Sequence, residues 1–143
     1  FVHRDLKSLN VVLDYDLGVK LCDFGLTQSM EKTHITRREN ECGSPRYMAP
    51  ELFDSRGKIT EKVDVWALGC LVLEVYSGKL PHAECTTLPQ VMDKTLVRRE
   101  TPFVERGGVD EELWALTELC LEFYPKRRVE AASFLEALRG LAP

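Results

Sequence analysis

One apolar segment near the middle of the chain constrains the fold more than any other feature. Nine consecutive residues, Val65 to Leu73, carry no charged or strongly polar side chain. A helix that crosses a bilayer needs about 20 such residues, so this segment is too short to span a membrane. A helix that is apolar on every side has no face suited to water and must be enclosed by other elements. The chain is therefore predicted to fold around this helix.

Capping residues and apolar spacing predict four helices, at 60–77, 88–98, 111–123 and 130–139. Thr60 and Thr87 can cap the first two, while Gly78 and Gly140 are stop signals after the first and the last. The predicted packing faces are Leu113, Leu116, Cys120 and Phe123 in the third helix and Ala131, Leu135 and Leu138 in the fourth.

The first forty residues have a different character. Two short β-rich runs, 11–13 and 19–21, flank a turn-rich spacer and predict an antiparallel hairpin. Residues 27–40 are polar without an apolar period and predict a long loop, which in a compact domain is functional or disordered. The predicted fold is mainly α, a short β-hairpin plus a helical bundle around a buried central helix.

Charge and cysteine content restrict the classes of partner. The formal net charge is −4, which argues against nucleic acid or an acidic membrane as the main partner, since both need a basic face. The five cysteines are odd in number and contain no C-x-x-C pair, which argues against a disulfide framework or a zinc site. We expect reduced thiols in a cytoplasmic or other intracellular protein. The chain opens without Met or a signal peptide, and we expect it to begin inside a longer protein.

The segment H-R-D-L-K-S-L-N at residues 3–10 carries the chemistry, together with D-F-G at 23–25. Two acids, an amide and an amine are thereby placed on loops at either end of the predicted hairpin. Carboxylate and amide oxygens can bind Mg²⁺, and an ammonium group can hold a phosphate.

These segments, followed by A-P-E at residues 49–51, resemble the signature of eukaryotic protein kinases. The resemblance extends from about Val2 to Arg128. It implies that residues 1–143 are the C-terminal lobe of the protein kinase fold, with the N-terminal lobe outside this chain. The Gly-rich loop, the strand lysine and its glutamate partner are not in the sequence, so we expect the chain alone to be catalytically inactive.

The resemblance implies a role for each polar residue of the motif. Asp5 would orient the substrate hydroxyl and accept its proton, and Lys7 would hold the γ-phosphate of ATP. Asn10 and Asp23 would bind the Mg²⁺ ions. The implied partner is a protein substrate; the sequence leaves the oligomeric state open.

Other residues of the signature have supporting roles by the same resemblance. His3 would brace the motif through hydrogen bonds, Phe24 would pack beneath it, and Gly25 would act as a hinge. Ser44 resembles the residue whose hydroxyl bridges the catalytic Asp and Lys.

Three residues resemble the family's structural anchors. Glu51 and Arg128 would form a buried ion pair, and Asp64 would hold the backbone of the catalytic loop. The chain departs from the family at Tyr124 and Val129, where Asp and Pro are usual, and we expect these departures to affect stability slightly and chemistry not at all.

The long loop suggests regulation by phosphorylation. In the family, the arginine that corresponds to Arg4 often pairs with a phosphorylated loop residue, and Thr33 and Thr36 are the preferred candidates here. The alternative is that these threonines are solvated loop hydroxyls.

The wording of the motifs most resembles serine/threonine kinases of the tyrosine-kinase-like group. Leu9 stands where many kinases that prefer basic peptides have Glu, so a strong demand for arginine in the substrate is not expected. Two other functions stay open. One is a pseudokinase or scaffold that binds partners without catalysis. The other is a small-molecule phosphotransferase, although such enzymes generally lack A-P-E.

Overall fold

The computed structural model describes residues 1–29, 44–55 and 57–141. They form a mainly helical fold with one two-stranded antiparallel sheet. The strands are β1 (Val11–Leu13) and β2 (Val19–Leu21), and the helices are α1 (Lys62–Ser77), α2 (Leu88–Met92), α3 (Glu111–Glu118) and α4 (Ala131–Leu141). Short 3₁₀ turns occur at Ser8–Asn10, Pro45–Tyr47, Pro50–Leu52 and Pro125–Arg127, and one π-helical turn at Asp93–Val97.

The hairpin forms with the predicted strands, and Val11 pairs with Leu21 and Leu13 with Val19. Its turn is organised by one side chain, because Asp14 Oδ1 accepts hydrogen bonds from the backbone N–H groups of Asp16 and Gly18 at 3.1 and 2.7 Å. The hairpin extends directly from the 3₁₀ turn that ends at Asn10.

The central helix α1 is enclosed as its composition predicts. Every residue from Lys62 to Glu74 is buried or half-buried, and only the last turn, at Val75 and Tyr76, is exposed. The helix ends at Gly78, whose φ of 68° is left-handed and whose N–H donates to the Glu74 carbonyl at 2.8 Å. Glycine adopts that conformation without steric cost, so the predicted stop signal operates here.

Glycine is also needed inside α1. A Cβ atom at Gly69 would lie 2.7 Å from Cys120 Cβ, closer than two carbon atoms can approach without displacement. The absent side chain therefore lets α1 pack directly against the segment that follows α3. A smaller cluster of Val65, Cys120 and Phe134 lies beside the main core at this contact.

The predicted helix at 88–98 forms as two pieces. Thr87 caps α2 with a complete capping box, in which Thr87 Oγ1 accepts from the Gln90 N–H and Gln90 Oε1 accepts from the Thr87 N–H. After Met92 the backbone hydrogen bonds join residues five apart, as in a π-helix. The last of them runs from the Arg98 N–H to the Asp93 carbonyl at 3.0 Å.

The predicted end of the third helix was wrong. Helix α3 ends at Glu118, although the apolar pattern continues to Phe123. Arg128 explains the difference, because its guanidinium takes the carbonyls of Glu122 and Phe123 as acceptors and holds this segment out of helical geometry.

The predicted face and end of the last helix were also wrong. Phe134 is the buried residue of α4 and Leu138 is half-buried, whereas Ala131 and Leu135 are exposed. Phe134 and Leu138, four residues apart on one face, together bury more apolar area than Ala131 and Leu135 would, so they set the rotation of the helix. Gly140 lies inside α4, which continues to Leu141.

One turn between α1 and α2 is held from a distant part of the chain. Arg46 donates hydrogen bonds to the carbonyl oxygens of Pro81, His82 and Cys85. Burial lowers the pKa of His82 to about 4, so its ring is neutral near pH 7.

Among the described residues, no helix is both long and apolar enough to cross a membrane. The four cysteines within that part of the chain are free thiols, and Cys42 lies outside it.

Candidate active site

One carboxylate of helix α1 binds the backbone at the start of the H-R-D segment. Asp64 Oδ2 accepts from the His3 N–H at 2.7 Å and Oδ1 accepts from the Arg4 N–H at 2.9 Å. Burial raises the pKa of Asp64 against the opposing effect of these two amide bonds. Arg4 takes a left-handed conformation with φ of 69°, which is costly for a residue with a side chain and shows how firmly the turn is held.

The His3 ring joins three segments of the site. Its Nδ1 accepts from the Asp5 N–H at 3.3 Å, so Nε2 carries the proton and donates to the Cys22 carbonyl at 3.2 Å. The Phe24 ring lies 5.1 Å from the His3 ring, centroid to centroid. Phe24 is nevertheless 58% exposed. Among the described residues it is covered only on the side that faces His3, which is less than the packing beneath the motif that the resemblance implies.

Asp5 lies at the centre of the polar cluster. Its Oδ1 accepts from the Ser44 N–H at 3.0 Å, and its Oδ2 lies 3.2 Å from both Lys7 Nζ and Asn10 Nδ2. Asn10 Nδ2 also donates to the Asp5 backbone carbonyl at 2.8 Å. Three donors from separate positions thus fix the orientation of this one carboxylate.

The ionisation of Asp5 reflects two opposed effects. Burial favours the neutral acid and would raise the pKa of Asp5. The hydrogen bonds from Ser44 and Lys7 and the charge of Lys7 outweigh it, so the pKa lies below its ordinary range. Asp5 is therefore an anion at neutral pH and able to accept a proton.

Lys7 is held between the catalytic segment and the segment before A-P-E. Its Nζ donates to Ser44 Oγ at 2.7 Å while lying 3.2 Å from Asp5 Oδ2. Lys7 and Asp5 are 20% and 12% exposed in their side chains, so the pair lies at a shielded but reachable surface. Ser44 thus contacts both the acid and the amine.

Asn10 and Asp23 are brought into adjacent segments by a backbone bond. The Cys22 N–H donates to the Asn10 carbonyl at 2.9 Å, and Asp23 follows Cys22 directly. Asp23 is exposed and has a left-handed φ of 58°, and its Oδ1 accepts from the Gly25 N–H at 3.3 Å. A left-handed backbone at a non-glycine residue is strained and is often found at functional sites.

Glu51 and Arg128 form a two-pronged ion pair. Arg128 donates from its two terminal nitrogens to Glu51 Oε1 and Oε2 at 2.7 and 3.1 Å, and its side chain is fully buried. The guanidinium also donates to the Lys62 carbonyl at 2.6 Å and lies over the Trp66 ring. This pair ties the A-P-E segment to the helical core.

A second polar network was not anticipated from the sequence. Glu74 of α1 accepts from the Ser8 hydroxyl at 2.8 Å on Oε1 and from the Tyr47 hydroxyl at 2.7 Å on Oε2. Burial, with the Glu74 carboxylate, raises the pKa of Tyr47 to about 12, although the bond from Ser8 opposes this shift. A lone acid directly after an apolar run was the available signal, since it needs a buried partner.

Two sequence-predicted residues cannot be placed. Thr33 and Thr36 lie outside the described residues. Arg4, their predicted counter-charge, is buried beside Asp5.

Comparison with known proteins gives a consistent family. The sequence profile described as "Protein kinase domain" matches residues 1–138. A probable serine/threonine-protein kinase of Dictyostelium discoideum is 45% identical over 140 residues, which are 98% of this chain and 15% of that protein. The probable serine/threonine-protein kinase WNK5 of Oryza sativa subsp. japonica is 36% identical over 135 residues, 94% of this chain and 39% of that protein.

A third relative is named as a dual specificity kinase and not as a serine/threonine kinase. The dual specificity protein kinase shkC of Dictyostelium discoideum is 32% identical over 142 residues, 99% of this chain and 27% of that protein. The chain thus spans well under half the length of each of these three relatives.

Proposed function

This chain belongs to the protein kinase family, and we propose that it supplies the phosphoryl-transfer residues of a protein serine/threonine kinase that uses ATP and Mg²⁺. The observation that carries the proposal is the arrangement around Asp5, where an anionic carboxylate is oriented by Ser44, Lys7 and Asn10. Within this proposal, residues 1–143 are the C-terminal lobe of the kinase domain.

Asp5 acts on the substrate hydroxyl. An anionic carboxylate within hydrogen-bond reach of a hydroxyl can align it with the phosphorus atom and accept its proton. The transition state of phosphoryl transfer is loose, so alignment contributes more than early proton removal. The hydrogen bonds that lower the pKa of Asp5 keep it ready for both roles.

Lys7 neutralises negative charge that develops on the transferred group. Its ammonium is already held by Ser44 Oγ at 2.7 Å, so little reorganisation is needed when a phosphate is present. Ser44 therefore acts as a positioning residue for both Lys7 and Asp5.

The donor set suits Mg²⁺. The amide nitrogen of Asn10 is committed to Asp5, which leaves the amide oxygen for a cation, and Asp23 offers an exposed carboxylate in the adjacent segment. Oxygen ligands with water in the remaining positions are what Mg²⁺ requires. When bound, the metal would neutralise phosphate charge, and Asn10 and Asp23 are the residues that would hold it.

Serine and threonine are the proposed acceptors on protein substrates. The presence of Lys7 two residues after the acid supports this assignment, and two of the relatives are named as probable serine/threonine-protein kinases. Membership of the tyrosine-kinase-like group is part of the same proposal and rests on the amino-acid sequences of the motifs.

The test is phosphoryl transfer from radiolabelled ATP by the natural full-length protein, with separate peptides that offer Ser, Thr or Tyr. We expect incorporation into Ser and Thr, and its loss in Asp5→Asn and in Asp23→Ala. Wild-type protein without turnover would favour a pseudokinase. Variants that keep the wild-type rate would contradict the assigned roles. Equal labelling of the Tyr peptide would show dual specificity instead of serine/threonine specificity.

A further inference from the structure

A turn between α1 and α2 brings three metal-binding side chains together outside the candidate active site. The imidazole of His82, the carboxylate of Glu84 and the thiol of Cys85 each offer a ligand atom, and these atoms all lie within 4.8 Å of one another. The three residues form an H-x-E-C pattern at 82–85, which the absence of C-x-x-C pairs does not reveal.

His82 provides the independent sign of a ligand. The residue is 1% exposed, and within the described part of the chain its Nδ1 has no hydrogen-bond partner. Its other ring nitrogen, Nε2, faces Thr95 Oγ1 at 3.4 Å. A buried polar nitrogen without a partner costs free energy, and a metal ion coordinated by that nitrogen would remove the cost.

The backbone of the turn is already fixed. The Cys85 N–H donates to the His82 carbonyl at 2.9 Å, and Arg46 holds carbonyl oxygens at both ends of the turn. His82 has a left-handed φ of 50°, a conformation that persists only where the surroundings enforce it. The ligands would therefore need little ordering when an ion binds.

We propose that His82, Glu84 and Cys85 bind a Zn²⁺-class divalent ion. Imidazole nitrogen, thiolate sulfur and carboxylate oxygen together are ligands that Zn²⁺ accepts in a tetrahedral arrangement. Zinc–ligand distances of about 2.0–2.3 Å place neighbouring ligand atoms roughly 3.3–3.8 Å apart. The three ligand atoms lie within 4.8 Å of one another, so they must close by at most about 1–1.5 Å. Glu84 is exposed and can supply most of this movement.

Cations as well as acids surround the site, since the Arg46 guanidinium lies against the His82 and Cys85 carbonyls. Glu84 forms an ion pair with Lys94, and Lys94 also lies 3.4 Å from a carboxylate oxygen of Glu100. Lys94 can therefore stay paired with Glu100 when the Glu84 side chain turns to the metal. Binding releases the proton of the Cys85 thiol to solvent, so two negative ligands balance the charge of the ion.

The site has an entrance and a free position. A cavity of about 410 Å³ opens to solvent and reaches Glu84 and Cys85, with His82 buried behind them and outside its lining. Three protein ligands leave the fourth position of a tetrahedral ion for water. Because Arg46 links this turn to the segment before A-P-E, a bound ion would rigidify the support of the candidate active site without touching it.

The test is a Co²⁺ titration of the natural full-length protein, followed by absorption spectroscopy. We expect a thiolate-to-cobalt charge-transfer band that saturates at one equivalent of Co²⁺ and is displaced by one equivalent of Zn²⁺. Cys85→Ser should abolish the band, whereas the control Cys22→Ser should keep it. Glu84→Gln, a change at an exposed position, should weaken Zn²⁺ binding about 10-fold or more.

A measurement on the wild type covers the case in which a variant does not fold. Zn²⁺ should slow alkylation of Cys85 by iodoacetamide, followed by mass spectrometry of the peptides, and leave the rate at Cys22 unchanged. Absence of the cobalt band from the wild type, a band that survives in folded Cys85→Ser, or alkylation of Cys85 unaffected by Zn²⁺ would overturn the proposal.

Discussion

Asp5 shows how a single carboxylate is prepared by its neighbours. Burial alone would favour the protonated acid, which could not accept a proton. The amide of Ser44 and the ammonium of Lys7 reverse that tendency, because both interact with the anion and not with the neutral acid. Proximity to a cation and to hydrogen-bond donors thus decides the direction of the pKa shift of Asp5, against the opposing effect of burial.

Replacement of Ser44 by alanine should test this balance. Ser44→Ala keeps the backbone N–H bond to Asp5 but removes the hydroxyl that contacts both Asp5 and Lys7. The pKa of Asp5 should rise toward its ordinary value, so the acid limb of the kcat/KM–pH profile should move to higher pH, since activity is lost as pH falls through that pKa. At neutral pH the loss of about 0.5–1.5 kcal/mol corresponds to a roughly 2- to 13-fold lower rate.

Ser44→Thr is the matched control for that experiment, because it restores the hydroxyl. Its acid limb should coincide with that of the wild type. An alanine variant whose acid limb does not move would show that the hydroxyl has no part in setting the ionisation of Asp5.

The ion pair of Arg128 with Glu51 gives a second prediction for single residues. Arg128→Ala leaves a largely buried carboxylate and several carbonyls without their donor, and should lower the free energy of unfolding by about 3–5 kcal/mol. The double variant Arg128→Met/Glu51→Leu should lose less than Arg128→Ala, because no charge is left unpaired. Denaturant unfolding measures both, and a double variant less stable than the single one would contradict the account.

At the scale of elements, composition predicted the helices better than their ends and faces. The enclosure of α1 followed from an apolar segment with no polar face, and the cap of α2 followed from Thr87. The end of α3 did not, because it depends on bonds from the Arg128 side chain to the Glu122 and Phe123 carbonyls, and apolar spacing carries no sign of such side-chain-to-backbone bonds.

The residues of the candidate site also differ in whether the sequence could predict their roles. The resemblance identified Asp5 and Lys7 because motif spacing is local, whereas the Ser8–Glu74–Tyr47 network joins segments up to 66 residues apart and leaves no local pattern. The role of Arg46 was missed for the same reason, since its acceptors are backbone carbonyls, which any sequence provides.

Two glycines in helices should respond oppositely to the same substitution. Gly69→Ala places a Cβ atom 2.7 Å from Cys120 Cβ and should destabilise the fold by about 1–3 kcal/mol through overpacking. Gly140→Ala in α4 meets nothing within 4 Å and should stabilise by up to about 1 kcal/mol, since alanine favours the helix. Denaturant midpoints distinguish the two, and equal shifts would show that packing at Gly69 is looser than described.

The molecule as a whole buries its central helix well and its hairpin poorly. Helix α1 and the segments around it form the main core, and a second cluster connects α4 to it. The hairpin instead exposes Leu13 and Val19, which are cross-strand partners and are 61% and 69% exposed. Leu21, which shares the face of Leu13 and Val19 because side chains alternate along a strand, adds to this apolar surface. Contiguous apolar surface of this kind is uncommon on proteins that act as monomers.

Residues 1–143 produced alone should therefore self-associate through the hairpin. The double variant Leu13→Thr/Val19→Thr removes the apolar pair while keeping residues that favour strands, and should shift the fragment toward monomer in sedimentation velocity experiments. Leu135→Gln, at an exposed apolar position on α4, is the control and should leave the distribution unchanged. A fragment that is already monomeric, or one that responds equally to both changes, would show that the exposed hairpin does not drive association.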